Sequence, residues 1–497
     1  MATIVGSSLT FVDATAVNVA LPALQRDLRA TITDVQWIIE AYALFLGGLI
    51  LVGGSLGDQF GRKRVFLAGV WLFTIASVAC GLAGSTRALI AARAVQGIGA
   101  AFLVPGSLAI ISATFDDADR GRAIGTWSGF SAMTSAIGPV AGGWLIEHMS
   151  WRAVFFLNVP LAAIVIVLSI RFMSESRDAS RSARVDWTGA ALAVLGLGAV
   201  VFALLEWPRL ASRPGVVLAT LACGVVALAA LAVVERRVAA PMLPLGLFRS
   251  RTFTLANLLT LLLYGALATL FWLVPLNLIQ VQHYSATAAG AALLPLPLLL
   301  FALSRWAGGL VGRVGSRLPL TVGPIVAATG LALFARTGTG GTYWTTFFPA
   351  ITLLGLGMTV VVAPLTTTAM GAVEAQHAGV ASGVNNAIAR VAGLMAIAVF
   401  GIVLTRSFDR RVHAALDGLG LPAAARASID RELPKLAGAE IRSLEPDGRG
   451  AARRAIDDSF VSSFGLIMNV AAGVALGAAA AGALIREPRS LQSTRSA

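Results

Sequence analysis

The chain is poor in charge. Of 497 residues only 13% are charged, 25 acidic and 38 basic, about half the share of an ordinary soluble domain. A water-soluble fold of this length needs far more polar surface, so that class is excluded. Cysteine is nearly absent. Cys80 and Cys223 both lie inside apolar runs, which excludes a disulfide framework and thiolate metal spacing. The four histidines are scattered at or beyond the ends of apolar runs, and no Ser/His/Asp, Cys/His or metal-ligand constellation is present. A G-x-x-x-x-G-K-[ST] phosphate loop is missing too, which argues against an ATP-driven pump. No cationic segment precedes the first apolar run, so no cleavable signal peptide is expected.

What is there is apolar: 57% of the residues are hydrophobic, and the mean hydropathy is +0.80. A membrane span takes about 20 such residues. Fourteen spans are expected, at 2–24, 37–57, 65–83, 88–111, 123–146, 153–172, 187–206, 215–234, 254–276, 288–304, 318–335, 343–365, 379–404 and 460–484. The expected fold is therefore an all-α polytopic membrane protein. The net charge of +13 would point to nucleic acid in a soluble protein. Here loop arginines set orientation and meet anionic lipid, so the expected partner is the bilayer and not nucleic acid.

An even number of spans puts both termini on one side. Placing them in the cytoplasm keeps Arg62, Lys63, Arg64, Arg171, Arg177, Arg181, Arg184, Arg236, Arg237, Arg249, Arg251, Arg305, Arg313 and Arg317 inside, as the positive-inside rule requires. The expected location is the plasma membrane of a prokaryote. The organisation reads as a six-helix bundle over 1–172, linkers and an inserted helix pair over 173–252, and a second six-helix bundle over 253–485. The second bundle contains an extracytoplasmic loop at 406–458, rich in Ala and charge and expected to be partly helical. Residues 486–497 form a cytoplasmic tail.

The segment from Gly54 to Arg64, Gly-Ser-Leu-Gly-Asp-Gln-Phe-Gly-Arg-Lys-Arg, joins the second and third spans. Glycines suit close approach and positive φ, and Asp58 suits the amides of a helix N-terminus. A degenerate echo without the acid runs from Gly308 to Arg317 at the same place in the second half, the mark of an internal repeat.

This segment resembles the signature turn of the major facilitator superfamily, G-x-L-x-D-x-x-G-R-K/R, with Gly54, Asp58, Gly61, Arg62 and Lys63 in register. Leu89 to Ala101 resembles the superfamily's fourth-helix motif through Arg93, Gln96, Gly97 and Gly99. Gly138, Pro139, Gly142 and Gly143 resemble its antiporter fifth-helix motif. Val12 to Pro22 resembles the first helix of the fourteen-helix drug:proton antiporters, as do Ser150-Trp151-Arg152, Asn158-Val159-Pro160 and Asn385-Asn386…Arg390…Gly393. Gln59 departs from the pattern, standing where a basic residue is usual. The chain also starts almost inside the first span, where members carry a short polar tail; either the tail is dispensable or Met1 is not the true start. The resemblance implies two six-helix bundles related by a pseudo-two-fold axis plus an inserted helix pair. It implies a transporter and not an enzyme, with no cofactor, driven by the proton motive force.

Four ionisable residues fall inside spans: Asp13, Glu40, Arg93 and Arg390. Burying such groups costs several kcal/mol, so each is a functional candidate. Asp13 lies near the midplane, as does Arg390, and is the first candidate proton carrier. Glu40 is the second, or else reaches the interface beside Trp37. Arg93 is either the counter-charge of the carboxylate or a structural arginine on backbone carbonyls. Arg390 either contacts substrate or balances charge. Asp58 and Arg62 read as a cytoplasmic gate latch or as a topology signal. The Gly138–Gly143 motif either seals the cavity or packs helices. The expected function is export of small lipophilic or cationic compounds, drugs among them, in exchange for protons. A dedicated exporter of one endogenous metabolite, antibiotic or lipid precursor is the alternative, a membrane sensor or enzyme a weaker one. A periplasmic adaptor stays open.

Overall fold

The structure, a computed structural model, describes residues 2–114, 117–177, 186–207, 209–210, 212–238, 241, 243–374, 378–441 and 446–485. Arg181, Arg184, parts of both linkers and the tail from 486 lie outside the described residues. The described residues hold helices and no strand. They are α1 (Ala2–Asp27), α2 (Ile32–Phe60), α3 (Arg62–Gly81), α4 (Thr86–Thr114), α5 (Asp117–His148), α6 (Trp151–Phe156), α7 (Asn158–Phe172), α8 (Trp187–Glu206), α9 (Pro214–Arg237), α10 (Arg251–Leu276), α11 (Ala286–Ala292), α12 (Pro295–Gly308), α13 (Leu310–Val314), α14 (Arg317–Phe334), α15 (Tyr343–Thr346), α16 (Phe348–Gly371), α17 (Ala378–Asp417), α18 (Ala423–Glu432) and α19 (Pro446–Ala483). Thirteen of these helices or helix pairs are long and apolar enough to cross a membrane, against the fourteen expected. The remaining expected span falls on α5, 32 residues long, only part of which lies within the residues that the count covers.

Helices α1–α7 form one bundle and α10–α19 the other, with the pair α8–α9 inserted between them in sequence. Breaks fall where the sequence disfavours a continuous helix. Leu157 separates α6 from α7, three residues before Pro160, and Leu293–Leu294 separate α11 from α12, just before Pro295. The pair α8–α9 lies over the lateral seam between the bundles. Leu197, Val201 and Leu205 of α8 pack with Leu44 of α2 and with Leu394 and Ala398 of α17. Trp37 Nε1 donates to Glu206 at 2.8 Å, and Arg209 bonds Thr31 and Asp34 at the mouth of α2.

The Gly54–Arg64 segment is more helical than a linking turn requires. α2 continues to Phe60 and α3 starts at Arg62, so the reversal is made at Gly61, with φ 109°. Its echo is made the same way at Gly315, with φ 81°. The segment 406–458 also has little loop in it. α17 runs on to Asp417 along Phe408, Val412 and Leu416, and α19 begins at 446 and buries Ala452, Ile456 and Phe460. Between them α18 and the 3₁₀ turn Leu433–Gly438 form a cap on the face away from Gly61. Its charges pair locally as Arg426–Asp430 (3.0 Å), Lys435–Glu432 (2.5 Å) and Arg453–Asp457, which is how a charge-rich stretch stays helical.

That same face carries close ties between the bundles. Gln280 Nε2 donates to Gln25 Oε1 at 2.7 Å, and Gln25 Nε2 donates to the Lys435 carbonyl in the cap at 3.2 Å. Glu147, one residue beyond the apolar part of α5, accepts from the Thr287 amide (2.9 Å) and hydroxyl (2.6 Å) at the start of α11. Burial pushes the Glu147 carboxyl up, but the hydrogen bonds from Ser285 and Thr287 outweigh it and hold the group below the ordinary glutamate range. A lowered pKa means the tie contributes above the ordinary value of about 4.3 and is lost as pH falls through the lowered one. Spin labels at Met149→Cys and Ala288→Cys are therefore expected to show a broadening distance distribution as pH drops below the ordinary glutamate range. In Glu147→Gln, the distribution should no longer respond to pH.

Candidate functional site

The first helix brings Asp13 to the middle of the first bundle, where it is fully buried. Around it α4 supplies Arg93 and Gln96, one helical turn apart, and the start of α7 supplies Asn158. Arg93 Nη1 donates to Asp13 Oδ2 at 2.6 Å. Gln96 Nε2 and Asn158 Nδ2 donate to Asp13 Oδ1 at 2.8 and 3.1 Å. The network then closes on itself. Arg93 also donates to Gln96 Oε1 (2.7 Å) and to the Ile38 carbonyl (3.1 Å), and Asn158 donates to Ser77 Oγ (2.9 Å). The guanidinium carbon stands 4.2 Å from the centre of the Tyr42 ring, a cation–π contact on its remaining face. Both readings of Arg93 thus hold at once: it is the counter-charge of Asp13 and it bonds a backbone carbonyl.

Glu40 has a different environment. It is fully buried, and neither carboxyl oxygen has a hydrogen-bond partner among the described residues. Its helix neighbours Trp37, Ala43 and Leu44 belong to the apolar cluster that α2 forms with α8 and α17. It does not reach the interface beside Trp37, whose ring nitrogen is taken by Glu206. An unpaired charge here would cost several kcal/mol, so the neutral acid is the form the site accommodates. Arg390 on α17 is only partly buried and makes no hydrogen bond or ion pair among the described residues. Its Cβ lies beside Gly47 of α2.

The sequence model of the Major Facilitator Superfamily matches residues 3–397. The chain belongs to the Major Facilitator Superfamily. It is 34% identical over 410 residues to the multidrug resistance protein Stp of Mycobacterium tuberculosis (strain CDC 1551 / Oshkosh), covering 81% of this chain and 75% of that one. It is 32% identical over 503 residues to the tetracenomycin C resistance and export protein of Streptomyces glaucescens, covering 98% and 91%. Among solved structures it shares its fold with a bacterial homolog of the human lysosomal transporter Spinster in an inward-facing, unoccupied conformation. The TM-score there is 0.64 at 18% identity, over 98% of this chain and 97% of that one.

The superfamily's signature turn has more parts here than its motif names. Asp58 Oδ1 accepts from Arg62 Nε and Nη2 at 2.9 and 2.8 Å. The amides at the start of α3 are met by Glu175, which accepts from Lys63 N (3.0 Å) and Arg64 N (3.3 Å). The acid expected in that role is Asp58, four residues upstream of Arg62. Lys63 Nζ donates to the Met173 carbonyl at the end of α7 (2.6 Å), and Arg62 N to the Ser176 carbonyl (2.9 Å). These ties run to the end of the same bundle. Gly54 is not a tight contact, because a Cβ there would meet only Pro105 at 3.8 Å. Gly53 is the tight one, its Cβ position 2.0 Å from the Ala101 carbonyl oxygen.

The helix-5 motif is two-sided. Cβ atoms on Gly138 and Gly142 would strike Thr15 Oγ1 (2.0 Å) and Ala16 Cβ (2.7 Å) of α1. On Gly143 one would strike the Ala286 carbonyl oxygen at 2.4 Å, and on Gly290 of the other bundle one would strike the Pro139 carbonyl oxygen at 2.1 Å. One side is packing within a bundle and the other is backbone contact between bundles. Sequence reasoning missed Glu175 and Ser77. Neither stands out, since Glu175 is one acid in a charged linker and Ser77 one hydroxyl in an apolar run.

Removing one member of a buried ion pair costs about 3–5 kcal/mol, because the other charge stays buried. Arg93→Ala should therefore lower the thermal stability of the purified protein markedly, as should Asp13→Ala. The double change Asp13→Asn with Arg93→Gln leaves no buried charge and is expected to melt closer to wild type than either single variant in detergent-phase thermal denaturation.

Proposed function

We propose that this superfamily member is a secondary transporter, not an enzyme, that expels small lipophilic compounds in exchange for protons by alternating access. The buried, charge-compensated Asp13 beside an unpartnered Glu40 carries the reading. A membrane protein has little reason to keep two carboxyls in its interior unless they change protonation. A proton arriving at Asp13 removes the charge that Arg93 bonds, leaving the guanidinium only Gln96 and the Ile38 carbonyl. α1 is then less tightly held to α4, so protonation state is coupled to helix arrangement. Glu40, under the seam of α2, α8 and α17, is placed to take and release a proton when that seam opens. The proton motive force is the energy source, and no cofactor is needed.

The close contacts of Gln25, Glu147 and Gly143 on the face away from Gly61 support an inward-facing arrangement. The arginines flanking Gly61 support placing the Gly61 face, and both termini, in the cytoplasm of a prokaryotic plasma membrane. Relatives named for multidrug resistance and for resistance and export support a drug-like cargo. The relative that aligns along 98% of the chain is named for a single compound, which favours a dedicated exporter as the second reading.

Ethidium export from energised vesicles tests the proposal. It is expected to collapse with a protonophore and to persist without ATP; persistence with the protonophore would rule out proton coupling. Asp13→Asn and Glu40→Gln are each expected to reduce proton-driven export on the order of 10²-fold, a common cost of losing a proton-transfer group. Export at wild-type rate in either variant removes that residue from the mechanism.

A further inference from the structure

Among the described residues, three polar side chains in the middle of the protein make no hydrogen bond. The Arg390 guanidinium makes no hydrogen bond or ion pair among the described residues, although α17 carries it about 18 Å along the helix from its start at Ala378. The Tyr42 hydroxyl is buried and unpartnered. The Tyr264 hydroxyl, on α10, also has no partner among the described residues. A Cβ on Gly47 of α2, five residues from Tyr42, would stand 3.3 Å from the Arg390 Cβ, and one on Gly265 of α10, beside Tyr264, would stand 3.3 Å from the Ala392 carbonyl oxygen of α17. The three residues therefore come from adjoining stretches of α2, α10 and α17, on both sides of the boundary between the bundles.

A structural arginine inside a membrane protein donates to carbonyls or acids, as Arg93 does here. Arg390 does neither. Asp13 is not available to it, with both oxygens bonded to Arg93, Gln96 and Asn158, and Glu40 bonds nothing. A guanidinium carries donors only and a tyrosine hydroxyl can also donate, so such a set is completed by a group rich in acceptors, and a planar guanidinium matches a carboxylate or phenolate best.

We propose that Arg390, Tyr42 and Tyr264 are the docking point for an anionic or strongly accepting oxygen group, such as a carboxylate or phenolate, at one end of a lipophilic substrate. This rests on the export reading, and it changes what the expected cargo is. A cation would have to take Asp13 from Arg93, whereas an oxygen-rich end meets Arg390 with no partner to displace. Substrate and proton then occupy different residues, and the coupling between them runs through the positions of α1, α2 and α17 and not through competition for one carboxylate.

The test uses two fluorescent probes that differ by a methyl group: rhodamine 110, with a free carboxylate, and rhodamine 123, its methyl ester. Binding is measured to the full chain in lipid nanodiscs. Wild type is expected to bind rhodamine 110 more tightly than rhodamine 123. Arg390→Gln is expected to weaken the carboxylate probe about tenfold, the scale of one charge-assisted contact, while leaving the ester within about twofold, which also shows that the variant is folded. Arg390→Lys keeps the charge but not the fork and should fall between them. The proposal is overturned if wild type does not discriminate between the probes, or if Arg390→Gln leaves their affinity ratio unchanged. Protonophore-sensitive movement of rhodamine 123 in proteoliposomes is scored separately. Its absence alongside an Arg390-dependent binding ratio counts against export and leaves the docking site standing.

Discussion

The buried pair of Asp13 and Arg93 is the constraint on which the first bundle depends. Neither charge is tolerable alone in the bilayer, and together they are tolerable because further polar groups bond both of them. Gln96 and Asn158 complete the carboxylate, and Gln96, the Ile38 carbonyl and the Tyr42 ring complete the guanidinium. The pair therefore fixes more than two residues. It sets the height of α1 against α4, the rotation of α2, and the place where α6 gives way to α7, because Asn158 opens α7 directly after the break at Leu157. Ser77 on α3 belongs to the same set, held between Asn158 and the Phe155 carbonyl.

Such a pair forms only if the helices come close, and small residues allow that. Lipid tails are as apolar as leucine, so helices in a membrane gain little from burying large side chains against each other and associate through packing instead. A Cβ on Gly97 would stand 2.5 Å from the Tyr42 carbonyl oxygen, and one on Gly53 would stand 2.0 Å from that of Ala101. Those approaches bring α2 against α4 and put Tyr42 beneath Arg93. The same device recurs between the bundles at Gly143 and Gly290, where the contact is backbone on backbone and no side chain interlocks. Smooth surfaces of this kind can close and separate without repacking large groups, which suits the side of a transporter that must open and shut.

Much of this was legible in the sequence, and the parts that were not share a cause. Span positions followed from apolar runs, since the bilayer imposes their length. They ran short for α17 and α19, which continue into the cap because Phe408, Val412 and Leu416, and Ala452 and Ile456, keep a buried stripe going beyond the apolar core. Asp13, Arg93 and Arg390 stood out because charge inside a span is costly; that Asp13 and Arg93 touch could not be read, since they are 80 residues apart. The amide-binding acid at α3 was assigned to Asp58 from proximity in sequence, yet Glu175 takes it from more than 100 residues away. Local patterns report what a residue costs, whereas its partner is decided by tertiary packing.

The placement of Glu40 and Arg390 carries one more physical consequence. Both lie where α2 meets α17, one acid and one base, each without a partner. The two helices run antiparallel: Gln36 donates to the Ile397 carbonyl at 3.1 Å, and Gly47 sits beside the Cβ of Arg390. Glu40 is therefore one turn from the Ile397 level, and the Arg390 level is seven residues, about 10 Å, further along α2. Had they been one turn closer they would pair, as Asp13 and Arg93 do, and the seam would gain an ion pair. It would also weaken both proposed roles, because a Glu40 carboxylate beside arginine would take a proton less readily and Arg390 would have a partner to give up before meeting a ligand. Keeping them two turns apart leaves each incomplete at a cost in stability, and an incomplete group in a buried site is what a proton or a substrate can complete.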